Sequence, residues 1–195
     1  MFASTRFVRR LTATLCATTL ALGLAACGGE DPNAKKEPKV DPNAPVEVEF
    51  DIPQNFVEQD VYEPLTPLFD DWSARSFKLQ GVENGEHEII WVMSYVLPYD
   101  TDSMDADQLY ALVDGYIRKV DNLNESGVIY PSLSNGRAGY HRYIVVPGPS
   151  GEDNIRYDSD YFFDGNKLVQ IGCQKKSQDA AVLEGCNVIL DTLKF

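Results

Sequence analysis

Histidine is scarce in this chain, and neither of its histidines belongs to a recognisable catalytic or metal-binding motif. Only His87 and His141 occur among 195 residues, and neither belongs to a His-x-x-Glu-His or Cys-x-x-Cys motif. Ser150 lies in a Gly-Pro-Ser-Gly-Glu stretch that departs from a nucleophile elbow, because the second glycine comes one residue early and the stretch is typical of a loop between strands. We therefore expect no catalytic residue, no bound metal and no cofactor.

Basic side chains are also few. The chain has 17 Lys and Arg residues against 30 Asp and Glu, which gives a formal net charge of −13 at pH 7. An acidic excess of this size repels nucleic acid and anionic membrane surfaces, so neither is expected as a partner. The charge is more simply a means of keeping the protein soluble.

The one long apolar stretch, residues 11–26, is too short and too often interrupted by threonine to span a bilayer permanently. Arg6, Arg9 and Arg10 precede it, and it ends in Leu-Ala-Ala-Cys with Cys27 last, which resembles the lipobox of bacterial lipoprotein signals. The resemblance implies that residues 1–26 are a cleaved signal peptide and that Cys27 carries a diacylglyceryl anchor. The mature chain is then held in the cell membrane by lipid, on its extracytoplasmic face.

The alternatives to a lipoprotein leader are an ordinary secretory signal with a chance cysteine and a retained helix. Lipidation is favoured because Ala25 and Ala26, Leu24 three residues before the thiol, and the disorder-prone segment after Cys27 occur together. A twin-arginine signal is disfavoured because Arg9-Arg10 lacks the expected flanking polar residue and aromatic. Cleavage removes three basic and no acidic residues, which leaves 169 residues with 14 basic and 30 acidic side chains, or −16.

Residues 27–45 combine the lipidated cysteine with a stretch rich in Pro, Lys, Glu and Asn, in which Asp-Pro-Asn-Ala occurs twice. This composition cannot bury enough apolar surface to fold. We predict a disordered tether that holds the following domain, residues 46–195, clear of the lipid headgroups.

The positions of the four cysteines are consistent with an exported protein. Cys16 leaves with the leader and Cys27 is committed to lipid, so Cys173 and Cys186 remain as a pair in an oxidising compartment. Their spacing fits no zinc or thiol-exchange motif, which disfavours a metal or redox role. We predict a structural disulfide between the two.

Several segments of the domain have the patterns of β-strands. They are residues 46–51, 56–58, 74–79, 88–96, 137–146, 155–163 and 167–173. The third and fourth flank Asn84-Gly85 and predict a hairpin. The segment 88–96 has almost no polar face and is expected to be covered on both sides.

Two segments have apolar residues at helical spacing. They predict one helix around residues 109–120 and another over residues 178–193, with Ser177 as its N-terminal cap. The order of strands, helix, strands and helix predicts an α+β fold, an antiparallel sheet with the two main helices packed on it as an α/β/α sandwich.

This order also resembles a known family. The opening hairpin with its Ile52-Pro53 turn, the long central helix and the C-terminal segment 186–195 are similar to the PsbP-like superfamily, most of all its actinobacterial lipoproteins of the LpqN type. The resemblance covers about residues 46–195. Members of this superfamily mostly act as binding or assembly accessories, so the resemblance implies a non-catalytic module.

Two acidic sets are candidates for a cation site. Residues 100–107 contain four aspartates but lack the glycine and the distant glutamate of an EF-hand loop, so helix capping is their expected role and cation binding stays open. Asp153, Asp158, Asp160 and Asp164 form the second set. Asp158 and Asp160 share a strand face, where we expect solvated charge.

Aromatic side chains give the remaining functional hypothesis. Most aromatics of a sheet belong to its core, but exposed ones mark a groove for a peptide, glycan or lipid. The candidate groove residues are Tyr62, Phe69, Trp72, Tyr140 and Tyr161.

The favoured hypothesis is a binding or assembly accessory of the cell envelope, whose partner is an envelope protein, a glycan or a lipid. The alternatives are a cell-envelope hydrolase and a structural surface lipoprotein without a small-molecule ligand.

Overall fold

The computed structural model of the protein describes residues 41–60, 66–83, 85–121, 127–147 and 154–195. The predicted signal peptide, Cys27 and residues 28–40 of the tether lie outside these ranges, as do Tyr62, Asn84, Ser150 and Asp153. Within them, neither helix combines the length and the apolar character needed to cross a membrane.

The described residues form one antiparallel sheet of seven strands and two α-helices, an α+β fold. The strands are β1 Phe56–Gln59, β2 Trp72–Leu79, β3 Ile89–Val96, β4 Val128–Ser134, β5 Arg137–Pro147, β6 Asn154–Asp164 and β7 Lys167–Lys175. The helices are α1 Ala106–Asp121 and α2 Asp179–Thr192. The strand order across the sheet is β1-β2-β3-β7-β6-β5-β4, so β1 and β4 are its edges.

Strand β3 contributes to both sides of the sheet. Ile90 and Val92 pack in a cluster with residues of α2, whereas the alternate residues Ile89, Trp91 and Met93 pack in a second cluster with residues of α1. Every residue of β3 except the last is buried. The prediction that this strand is covered on both sides is confirmed, and its continuous apolar sequence follows from that position.

The strand predicted over residues 46–51 is absent, and this prediction was wrong. Val46, Val48 and Phe50 do pack against the α2-side cluster, as their alternation suggests. The backbone, however, pairs only at Glu49, which exchanges two hydrogen bonds of 2.9 Å with Lys194 beyond the end of α2. Alternation of apolar and polar residues indicates that one side of a segment is buried. A β-strand also needs a neighbouring strand with which its backbone can form hydrogen bonds.

Two residues before the predicted start of the domain contact the sheet. The Lys167 ammonium donates hydrogen bonds of 2.6 Å to the carbonyls of Pro42 and Ala44, and Asn166 donates to Pro42 as well. Pro42 and Ala44 therefore contact the sheet at the β6–β7 turn.

Strand β4 is the element that the sequence prediction lacks. It pairs with β5 through the two-residue turn Asn135-Gly136, whose φ angles of 46° and 77° are those of a type I′ hairpin turn. Pro131 in the middle of the strand hides its β character. The Asn-Gly dipeptide is the signal that identifies the hairpin.

The start of α2 is stabilised differently from the prediction. Gln178 occupies the N-cap position without a side-chain cap, and Ser177 does not cap the helix. Instead the fully buried Glu88, just before β3, accepts hydrogen bonds from the backbone amides of Ser177 and Gln178 and from the Ser177 hydroxyl. A carboxylate suits this place because it accepts from backbone amides just before the helix and lies near the positive end of the helix dipole.

Candidate functional site

Four ionisable side chains meet on the sheet face that carries α2. His141 on β5 lies opposite Asp160 on β6, and Asp158 is two residues away on the same face. Lys175 on β7 reaches the same place, because it is two residues beyond the partner of Asp158. We call these residues the His141 cluster.

Each ring nitrogen of His141 faces a carboxylate. Nδ1 lies 3.1 Å from both carboxylate oxygens of Asp160, and Nε2 lies 3.1 Å from Oδ1 of Asp158. The Lys175 ammonium donates a hydrogen bond to the other oxygen of Asp158. All four side chains are largely buried, with Lys175 only 5% exposed.

This geometry determines the protonation state of the ring. An ionised carboxylate only accepts hydrogen bonds, and a neutral imidazole has only one N–H to donate. Two carboxylates can both be satisfied only if His141 is the doubly protonated imidazolium. The cluster then holds two negative and two positive charges, which compensates the burial of each ion.

The contacts of the cluster shift the pKa of His141 and the pKa of Asp158. Burial of the ring opposes its charge, but hydrogen bonds to Asp158 and Asp160 and the charges of both outweigh it and raise the pKa of His141 to about 9. Burial also favours the neutral acid at Asp158, yet the hydrogen bonds from His141 and Lys175 lower the pKa of that carboxyl. At neutral pH His141 is therefore charged.

Tyr130 on the edge strand β4 covers the ring of His141. The two ring centroids are 4.9 Å apart and their planes are inclined by 34°. Burial and the negative charges of Asp158 and Asp160 raise the pKa of Tyr130. This contact joins the buried ions to the exposed edge of the sheet.

The chemistry open to the cluster is limited. A general base must have a nitrogen free to take a proton near the working pH, and both nitrogens of His141 already carry protons that are donated to carboxylates. Within the described ranges, no group of three His, Cys, Asp or Glu side chains has an arrangement that could hold a metal ion. His87 is partly exposed, with its Nε2 3.8 Å from Glu86.

The two acidic sets have different outcomes. Solvated charge was the wrong expectation for Asp158 and Asp160, which are buried because His141 and Lys175 neutralise them. In residues 100–107 the capping prediction is confirmed for Asp105, whereas Asp102 accepts a hydrogen bond from the amide of Gly165. Asp105 Oδ1 accepts from the amide of Gln108 while Gln108 Oε1 accepts from the amide of Asp105, a reciprocal capping box at the start of α1.

Two of the predicted groove residues do not line a surface. Tyr140 and Tyr161 are 7% and 2% exposed and belong to the α1-side core, where the Tyr140 hydroxyl donates to the carbonyl of Ala106. Their assignment to a groove is corrected, since the sheet face at this point is covered by α1. Phe69 is half-buried against the edges of two tyrosine rings, and Trp72 is 37% exposed.

The predicted disulfide is present. Cys173 near the end of β7 is bonded to Cys186 in the middle of α2, 13 residues later, and both lie in the α2-side core. The bond fixes the helix to the sheet next to the His141 cluster, because Cys173 is the strand partner of Asp158.

Comparisons with known proteins give no family. No protein-family model and no curated protein matches the chain. A crystal structure from Bacteroides thetaiotaomicron matches with a TM-score of 0.46 and 11% identity, over 75% of this chain and 44% of that one, so the chain spans less than half of its length. LpqN of Mycobacterium tuberculosis, described as involved in cell envelope biogenesis, matches with a TM-score of 0.47 and 10% identity, over 80% and 86%. At these scores no functional conclusion follows.

Proposed function

We propose that this chain is a lipoprotein anchored through Cys27 to the extracytoplasmic face of the cell membrane. Its α+β domain, a PsbP-like sandwich on this proposal, binds an envelope protein, glycan or lipid and does not catalyse a reaction. The proposal takes its location from the lipobox and its fold family from the sequence resemblance.

The Cys173–Cys186 disulfide supports the extracytoplasmic location. Disulfides persist in oxidising compartments and are rare in the cytosol. The bond joins two elements of the core and has no neighbouring thiol among the described residues, so a structural role fits it better than thiol exchange.

The main support for a non-catalytic role is that both ring nitrogens of His141 already have hydrogen-bond partners. Hydrolysis by acid-base or nucleophilic chemistry needs a base whose nitrogen is free to accept a proton from water or a nucleophile. His141 has both nitrogens engaged by Asp158 and Asp160 and a pKa raised to about 9. It is suited to holding β5 against β6, not to exchanging protons with a substrate.

The experiment compares binding with turnover. The full chain is incubated with muropeptides and with neutral lipid vesicles. Thermal unfolding then reports binding, and chromatography of the muropeptides and lipids reports turnover. A raised unfolding temperature with unchanged compounds supports the proposal.

His141→Gln serves as the matched variant. If the wild-type chain hydrolyses a muropeptide or lipid, the domain is an envelope hydrolase and the proposal fails, and loss of that hydrolysis in folded His141→Gln would assign the activity to His141. If neither binding nor turnover is found with these compounds or with envelope proteins, the structural-lipoprotein alternative replaces it.

A further inference from the structure

Strand β4 is an edge strand that lacks the usual protection by charge. None of its seven residues is charged, although 24% of the chain is. Val128, Tyr130 and Leu133 are 60%, 46% and 74% exposed. Exposed apolar edge strands of this kind are templates on which another strand can pair.

A second copy of this chain is the partner that such an edge must avoid. Two copies, each with a net charge of −13, repel one another over most of their surfaces. The β4 strands add nothing to this repulsion where they meet, because neither carries a charge. Antiparallel pairing of β4 with β4 of a second copy would also give the closed twofold interface that homodimers favour.

The hairpin turn determines which backbone groups of β4 point outward. In a two-residue hairpin the residues flanking the turn, here Ser134 and Arg137, exchange both hydrogen bonds. Pairs alternate along the ladder, so Ser132 and Tyr130 also point their amides toward β5. Ile129, Pro131 and Leu133 then direct their backbone groups toward the free edge.

The position of Pro131 independently supports this alternation. Proline has no N–H, so it cannot occupy a position from which β4 must donate a hydrogen bond to β5. It occupies the central outward position of the strand. On either side the outward donors are the amides of Ile129 and Leu133, four residues apart. A strand added to this edge would bury a carbonyl opposite Pro131 without a donor and would meet its ring.

We propose that Pro131 prevents the apolar edge strand β4 from pairing with β4 of a second copy of this chain. Proline keeps the inner ladder with β5 intact and removes the one central donor of the outer edge. With proline at this position, β4 can expose apolar side chains on an uncharged strand without pairing with a second copy of the chain.

The test restores the missing donor. Pro131→Ala supplies the N–H with little added apolar surface, and Pro131→Val supplies the N–H with a side chain that favours strands. The full chain and both variants are compared by sedimentation velocity over a roughly hundredfold range of concentration. We expect a concentration-independent monomer for the wild type, and for both variants a mass rising toward the dimer, with a dimer dissociation constant at least about tenfold lower.

Leu133→Lys combined with Pro131→Val is the matched control, and its edge charge should restore the monomer. Circular dichroism verifies that each variant is folded, and Pro131→Ala remains informative if Pro131→Val does not fold. Folded variants that stay monomeric overturn the proposal, as does a wild-type dimer that Leu133→Lys dissolves. If Pro131→Val associates and Pro131→Ala does not, side-chain hydrophobicity causes the association and not the restored N–H. That result would also overturn the proposal.

Discussion

The indole ring of Trp91 on β3 lies across the backbone of Gly172, its partner on β7. A Cβ atom at Gly172 would fall 1.9 Å from Cε2 of Trp91 and 2.1 Å from Cζ2. Gly172 is not among the residues with positive φ. Glycine is therefore required here for space and not for backbone conformation, since no side chain fits between the ring and the strand.

Gly172→Ala should lower the free energy of unfolding by about 3 kcal/mol, because overpacking of a core moves side chains from their rotamers. Urea unfolding measures it. Gly115→Ala on the exposed side of α1 is the matched control, since no atom beyond its chain neighbours and the backbone of its own helix lies within 4 Å of its Cβ position. Alanine there should stabilise by up to about 1 kcal/mol through helix propensity. Equal effects at the two glycines would contradict the role of Trp91.

Glu88→Ala should destabilise the domain by about 3 kcal/mol, because the backbone amides of Ser177 and Gln178, just before α2, would lose a charged acceptor. Glu88→Gln keeps one acceptor oxygen and should cost roughly half of that. Chemical unfolding gives both values.

Ser177→Ala is the control for Glu88. It removes only the hydroxyl that donates to Glu88 and should cost about 1 kcal/mol. A larger loss for Ser177→Ala than for Glu88→Ala would mean that Ser177 is the main cap after all.

The sequence predicts the parts of this fold that depend on local patterns. The continuous apolar run of β3, the helical spacing in α1 and the even cysteine pair each identify an element or a bond without knowledge of its neighbours. Strand β4 is missed because Pro131 lowers its local β character, while its stability comes from pairing with β5. Asn135-Gly136 carries the local information that would have located it.

The His141 cluster could not be predicted in the same way. Its members lie on three strands, and the contact between His141 and Lys175 through Asp158 depends on the register of β5, β6 and β7. Asp158 and Asp160 share a face in the sequence pattern. Whether that face is solvated or buried is decided by which cations the neighbouring strands place beside it.

The Cys173–Cys186 bond should contribute about 3 kcal/mol, since it restricts a loop of this length in the unfolded chain. The double variant Cys173→Ala, Cys186→Ala should unfold at correspondingly lower urea concentration. Thiol labelling of the unreduced protein in denaturant provides the control, and modification of either cysteine there would contradict the bond.

Cys27→Ala should leave the precursor uncut or release the protein from the membrane, because lipid is the proposed anchor. Membrane fractionation and mass spectrometry of the mature N-terminus are the measurements. An unmodified N-terminus at another residue would refute lipidation.

Stability should fall between neutral and alkaline pH because of His141. The pKa of its ring is about 9 in the folded protein against an ordinary 6.5, so the folded state holds this proton more tightly than the unfolded state. The resulting stabilisation is complete below pH 6.5 and is lost as the pH rises to 9, for a total of about 3 kcal/mol. Urea unfolding at intervals across this range measures the loss. His141→Gln, which cannot titrate, should be less stable at pH 6.5 and nearly independent of pH from there to 9. A wild-type slope that persists in the variant would show that another group titrates and that His141 is not the imidazolium inferred from its two carboxylates.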